Sequence, residues 1–154
     1  MYGAGDAKIG QIVKGTAKDG AKLKQKFLTG LPSLGKLIKR VQKYAAKKYL
    51  PGIDGRRLWV RSEHSALNTL LQGAGAILMK TFLVLFYREL TAQGIFFRFV
   101  ANIHDEVQME LRKEDVDKVG AIAVQCMKQA GEVLQLRCPV TGEYHFGSNW
   151  SDTH

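Results

Sequence analysis

The sequence predicts an α+β fold: a small antiparallel sheet backed by long helices and preceded by a helical, basic segment. Three observations carry this expectation. Residues 96–103 and 107–111 are two apolar, strand-like runs separated by His104, Asp105 and Glu106, the pattern of a β-hairpin with polar residues at its tip. Residues 61–94 repeat Ala66, Leu70, Ala74, Ile77, Leu78, Phe82, Leu85 and Leu90 at helical spacing, and residues 114–134 do the same with Val116, Val119, Ile122, Ala123, Cys126, Met127 and Val133. The charge also changes sign along the chain. Residues 1–61 hold fifteen Lys and Arg against three acids, a net +12, while the remainder holds eight against eleven, a net −3.

With 154 residues, 45% of them hydrophobic, the chain can bury one real core, and a second independent domain is not expected. Cys126 and Cys138 have neither metal-ligand spacing nor a disulfide framework, and read as reduced thiols of a cytoplasmic protein. No signal-peptide pattern opens the chain. The most apolar window, residues 74–90, is interrupted by Lys80 and Arg88 and reads as too short and too charged to span a bilayer, so no membrane partner is expected. The basic first half is the footprint of a polyanion binder, most simply nucleic acid, or else a solvated lysine-rich face with no partner.

Taken in order, Asp6 is a plausible N-cap after flexible glycines, with Ile9, Ile12 and Val13 at helical spacing. Residues 14–30 place Leu23, Phe27 and Leu28 opposite a run of lysines, an amphipathic helix stopped by Gly30 and Pro32. A second helix is expected from Ser33, as its cap, through Tyr49, with Leu34, Leu37, Ile38 and Val41 inward and a basic outer face. Asp54-Gly55 is a two-residue hairpin signal, with strand at residues 58–60. Ser62 caps the longest helical pattern, and Gly94 is its C′ residue. The small residues 73–76 keep one turn of that helix thin, consistent with close packing under the His-Asp-Glu hairpin. Acids at 114 and 115 suit the start of the last long helix, and residues 143–146 form a short closing strand.

Two constellations carry chemistry. Adjacent carboxylates beside an imidazole suit a hard cation such as Mg²⁺, although strand alternation would let only one of Asp105 and Glu106 be a direct ligand unless the turn re-aims the other. A polar triplet between strands is also simply a turn. Arg61, His64, Asn68 and Gln72 lie three to four apart and form one helical stripe: Arg and His contact phosphate, while Asn and Gln donate to and accept from base edges in the minor groove. An isolated Asn or Gln on a helix is otherwise just solvated.

The run around His104-Asp105-Glu106, followed by Val107-Gln108-Met109-Glu110, resembles the third conserved palm motif of the family A DNA polymerases, and among them the replicative polymerases of T-odd bacteriophages. Residues 61–73 resemble the palm helix of that family, with Asn68 and Gln72 matching its minor-groove residues and His64 standing where phage relatives carry histidine. Tyr2-Gly3 matches the end of the second motif, and residues 147–150 the closing segment. The resemblance implies an incomplete polymerase domain, with residues 1–50 the end of the fingers and residues 51–154 the C-terminal part of the palm. It implies template-directed nucleotidyl transfer with two Mg²⁺ ions, for which Mn²⁺ can substitute. Asp105 and Glu106 would serve the metal, Asp105 as a bridging ligand and Glu106 as an adjacent outer-shell carboxylate, with His104 a positioner of the primer terminus and Tyr2 a neighbour of the templating base. Primer-template DNA and deoxynucleoside triphosphates would be its partners.

This sequence departs from the family in two respects. The family's second metal-ligating aspartate and its triphosphate-binding arginine and lysine have no counterpart here: Asp6 and Asp19 lie in the fingers segment, Asp54 in a turn, and Asp115 and Asp117 on a covering helix. The expectation is one subunit of a split polymerase, inactive alone and completed by a larger subunit carrying thumb, first palm motif and fingers helix. The rival readings are a non-catalytic DNA-binding remnant and a metal-dependent nuclease, the latter short of carboxylates.

Overall fold

The computed structural model describes residues 4–153, so Tyr2 and His154 lie outside the described residues. The chain forms two compact units, Met1–Gly73 and Ala74–His154. Each has its own apolar cluster.

In the first unit, α1 (Asp6–Ile12), α2 (Ala17–Gly30) and α3 (Pro32–Ala45) precede a hairpin of β1 (Tyr49–Pro51) and β2 (Arg57–Trp59). Asp6 is not the N-cap. Gly5 holds that position, and Asp6 sits in the first turn, where its charge suits the helix dipole and meets Lys24 at 3.2 Å. The basic helix starts at Ala17 because Thr16 caps it: the Thr16 hydroxyl accepts from the Asp19 N–H at 3.4 Å while the Asp19 carboxylate accepts from the Thr16 N–H at 2.8 Å. The Thr16 hydroxyl also donates to the Asp19 carboxylate at 2.7 Å, and this bond, with the one from the Thr16 N–H, holds the Asp19 carboxyl below its ordinary pKa. Ser33 does not cap α3 either. Leu31 stands at the cap, and Pro32 fills the first turn, where its missing N–H costs nothing. The helix ends at Ala45 rather than Tyr49, because Lys48, at φ 63°, turns the chain into β1.

Helices α1 and α2 touch through their backbones. A Cβ on Gly10 would strike the Thr16 carbonyl, and one on Gly20 the Asp6 carbonyl, obstacles that cannot rotate away. Gly20→Ala gains about 0.5–1 kcal/mol of helix preference but forces an overlap costing about 1–3 kcal/mol. The expected result is separation of α1 from α2, read as lost hydrogen-exchange protection at the Ile9 and Val13 amides; unchanged protection would refute it.

The Asp54-Gly55 signal marks a turn, but a longer one than two residues. Strand pairing stops at Pro51 opposite Arg57, the Gly52 N–H donates to the Arg56 carbonyl at 2.7 Å, and Gly55 supplies a φ of 83°. Partial desolvation pushes the Asp54 carboxyl up, and the hydrogen bonds and charge of Arg56, whose Nε lies 2.6 Å away, outweigh it and leave the pKa lowered. Leu50 and Leu58 face inward onto Val41, Ala45, Val60 and Ala66. A Cβ on Gly73 would lie 2.8 Å from Leu58 Cδ1, so this thin turn packs against the β1–β2 hairpin, whereas a Cβ on Gly75 would meet nothing within 4 Å.

The long helix α4 is Ala66–Ala92, entered through a 3-10 turn, Glu63–Ser65, which is what Ser62 caps. Its end is set by Gly94, at φ 65°, with the Ile95 N–H returning to the Leu90 carbonyl at 3.1 Å. Because turn and helix run on without a break, Glu63–Ala92 is long enough to cross a membrane and contains an 18-residue window with a mean hydropathy of 1.6, which corrects the expectation drawn from the shorter window. Core helices pass the same test, and Met79, Phe82, Phe86 and Leu90 are buried against other elements of the second unit.

In that unit β3 (Phe97–Ile103) pairs antiparallel with β4 (Glu106–Leu111), and α5 (Val116–Val133) follows a 3-10 turn, Lys113–Asp115. Val107, Met109 and Leu111 of β4 and Phe97 of β3 pack on α4 and on Val119, Cys126 and Ala130 of α5. Burial, with the nearby Glu89 carboxylate, pushes the Cys126 thiol up in pKa, as befits a packing group rather than a nucleophile. Val100 is an extra residue between the Phe99–Met109 and Ala101–Gln108 pairs, a β-bulge that changes which β3 residues face the core. Residues 143–146 pair with no strand. The tail instead lies on α5 at two bare helix positions, where Gly120 makes room for the Tyr144 ring and Gly131 for Val140.

Candidate functional site

The hairpin is closed by the shortest loop a hairpin allows. Ile103 pairs with Glu106, so His104 and Asp105 alone make the turn. His104 adopts φ 54°, a region that favours glycine and that a non-glycine residue enters at a cost of about 1–2 kcal/mol. Strain held at a hairpin tip is a pointer to function. His104→Gly is therefore expected to leave the hairpin folded and to raise stability by up to about 1 kcal/mol, measured in urea. An unchanged or lower midpoint would show that the imidazole itself supports the turn.

Asp105 is exposed, and no hydrogen bond or ion pair holds its carboxylate among the described residues. Strand alternation does not relate it to Glu106, because Asp105 lies in the loop and outside the ladder. Glu106 opens β4, half-buried, on the face turned away from the apolar cluster. Residues opposite one another share a face, so that side also carries Arg98 with Glu110, Ala101 with Gln108, and Ile103. The Gln108 side-chain amide donates to the Glu106 carboxylate and lies 3.4 Å from the Thr153 hydroxyl, which ties the C-terminal 3-10 turn, Trp150–Thr153, to the same face. Gln108 and Thr153 are functional candidates that the sequence did not single out. The available signal was the two-residue spacing from Glu106 to Gln108, which puts both on one side of a strand.

Asp105 and Glu106 are hard oxygen donors and fit part of the ligand set that a Mg²⁺ ion takes. Among the described residues, no three His, Cys, Asp or Glu side chains gather into a metal-binding group. By themselves the two carboxylates could supply only a portion of such a ligand set.

The polar residues ahead of the hairpin do not all share a helix. Asn68, half-buried, and Gln72, exposed, lie one turn apart on one face of α4, whereas His64 belongs to the 3-10 turn and Arg61 precedes it, both exposed. The expected four-residue stripe is thus a helical pair preceded by two residues on non-α backbone. The cap at Ser62, which tightens the entry turn, is the reason.

Comparison with known proteins shows the family. The chain is 39% identical over 160 residues to the DNA-directed DNA polymerase of Escherichia phage Phieco32, covering 99% of this chain and 26% of that protein. It is 34% identical to that of Escherichia phage T7, covering all of this chain and 25% of the T7 protein. The chain thus spans about a quarter of the length of the curated relatives it matches. Its fold matches the solved POL domain of Pol1 from M. smegmatis, in complex with DNA primer-template and dNTP, with a TM-score of 0.77 over 84% of this chain and 25% of that one, at 19% identity. The description of DNA polymerase family A fits residues 1–152, nearly the whole chain, and the protein belongs to that family.

Proposed function

We infer that this chain is the part of a DNA-directed DNA polymerase that presents one of its metal-binding carboxylates. Residues 1–50 would end the fingers and residues 51–154 would form the C-terminal palm. The observation that carries the reading is the strained two-residue loop displaying His104 and Asp105 at the start of β4. Its substrates are primer-template DNA and deoxynucleoside triphosphates.

Asp105, with Glu106 beside it, would hold the divalent metal, Mg²⁺ or Mn²⁺. Such ions, when bound, stabilise the attacking and leaving oxygens of phosphoryl transfer. Gln108 keeps Glu106 in place by donating to its carboxylate. His104 orients the primer terminus from the neighbouring loop position. Asn68 and Gln72 offer a donor and an acceptor each to minor-groove edges, which are nearly alike for all base pairs and so suit an enzyme that must accept any sequence. Arg61 and His64 contact phosphate, and Tyr2, which lies outside the described residues, would neighbour the templating base.

The remaining groups, a second aspartate and the triphosphate-binding arginine and lysine, must come from polypeptide beyond these 154 residues. A second, larger subunit is the arrangement proposed. Primer extension tests it with Mg²⁺ and four deoxynucleotides in three tubes: this chain, the polypeptide encoded beside it, and the two mixed. Extension confined to the mixture is expected. No extension in any tube, with DNA still bound, would favour a non-catalytic DNA-binding role.

A further inference from the structure

The outward face of the β1–β2 hairpin is not used by the polymerase reading. Alternation puts Leu50 and Leu58 into the core and leaves Tyr49, Pro51, Arg57 and Trp59 on the other side, where Trp59 is 70% exposed. The Tyr49 and Trp59 rings meet edge-to-face with centroids 6.3 Å apart. The Arg57 guanidinium lies 5.0 Å from the Tyr49 ring centroid. Two large rings and a guanidinium are therefore arranged against one another at the surface, with most of the indole uncovered. A second pairing of the same kind, Lys47 over the Tyr44 ring at 5.4 Å, lies just ahead of β1.

The geometry points to this face as a stacking platform for unpaired nucleotides. Aromatic rings beside arginine bind single strands without sequence preference, because every base has a π-face to stack and every phosphate a charge to neutralise. Charge complementarity favours nucleic acid over a protein contact. Residues 43–61 carry Lys43, Lys47, Lys48, Arg56, Arg57 and Arg61 against Asp54 alone, and Arg56 already satisfies that acid. A duplex, whose bases are stacked on one another, offers this face only phosphates. The identity of the strand, the single-stranded template ahead of the primer, rests on the polymerase reading; the binding itself does not.

The test uses the full chain carrying Trp150→Phe, so that Trp59 is its sole tryptophan. A thymidine homo-oligonucleotide about a dozen residues long, within the usual footprint of such platforms, is expected to quench Trp59 fluorescence, while blunt duplex at equal phosphate concentration leaves it unchanged. Trp59→Ala, on the wild-type background, should weaken oligonucleotide binding about tenfold, the loss of one stacked base, with an unchanged circular dichroism spectrum. Arg57→Gln should weaken it less and flatten its salt dependence. Unquenched Trp59 with binding indifferent to Trp59→Ala would overturn the proposal and leave the face to a protein partner, and quenching by duplex and single strand alike would overturn it too. Quenching without primer extension in any mixture would sink the catalytic reading alone, and extension with Trp59 unquenched would sink this one alone.

Discussion

Asp105→Ala, in the mixture that extends a primer, is expected to lower the extension rate by about a thousandfold, ~4 kcal/mol of transition-state stabilisation. The size follows from the carboxylate's place. It lies at the open tip of a two-residue loop, where its loss removes a hard oxygen donor without disturbing a ladder pair or the apolar cluster. Fold and DNA affinity should stay as they were, so the whole effect appears in turnover. Glu106→Gln should cost less, about 10–100-fold, as befits a supporting carboxylate that Gln108 holds from the side. Single-turnover extension with the primer-template saturated separates the two variants. A rate for Asp105→Ala within a few-fold of wild type would remove Asp105 from the catalytic centre and with it the central claim.

Phe86→Ala is expected to cost the second unit about 3–5 kcal/mol. Phe86 is 2% exposed, stacks on Phe82 with centroids 5.2 Å apart and lies 6.2 Å from the ring of Phe99 on β3. Its removal opens a cavity between α4 and the hairpin, both already close-packed. Against a total folding stability of about 5–15 kcal/mol, that loss takes a third or more. The urea midpoint should fall steeply with little change in slope. Val100→Ala serves as the control, since Val100 stands out in the bulge at 67% exposure and its truncation should move stability by no more than about 0.5 kcal/mol. Equal, small losses for both variants would mean that the aromatic cluster does not hold the hairpin to α4.

Much of this was legible because the signals were local. Periodicity marks the helices at 17–30, 66–92 and 116–133 to within a few residues, and the alternation of apolar residues on either side of His104-Asp105-Glu106 marks the hairpin. Motif spacing carried the family, since Asn68, Gln72 and the His-Asp-Glu triplet fall in collinear order. The start of helices was read less well. Asp6 and Ser33 are good caps by residue type, yet Gly5 and Leu31 occupy the cap positions, because the preceding turn and not the side chain decides where the helix can begin.

The sequence by itself determined the α+β class, the hairpin with its polar tip, and the family to which the chain belongs. These depend on residue type at short spacing. Tertiary structure alone decided which glycines are contacts, with Gly20 against the Asp6 carbonyl, Gly73 against Leu58 and Gly120 against the Tyr144 ring, and it decided that the tail lies along α5 instead of adding a strand. It also decided that Gln108 and Thr153 join Glu106 on one face. A glycine leaves no side chain to reveal its neighbour, and a contact between residues 45 apart has no period to read. Both are set by which surfaces meet once the helices have packed.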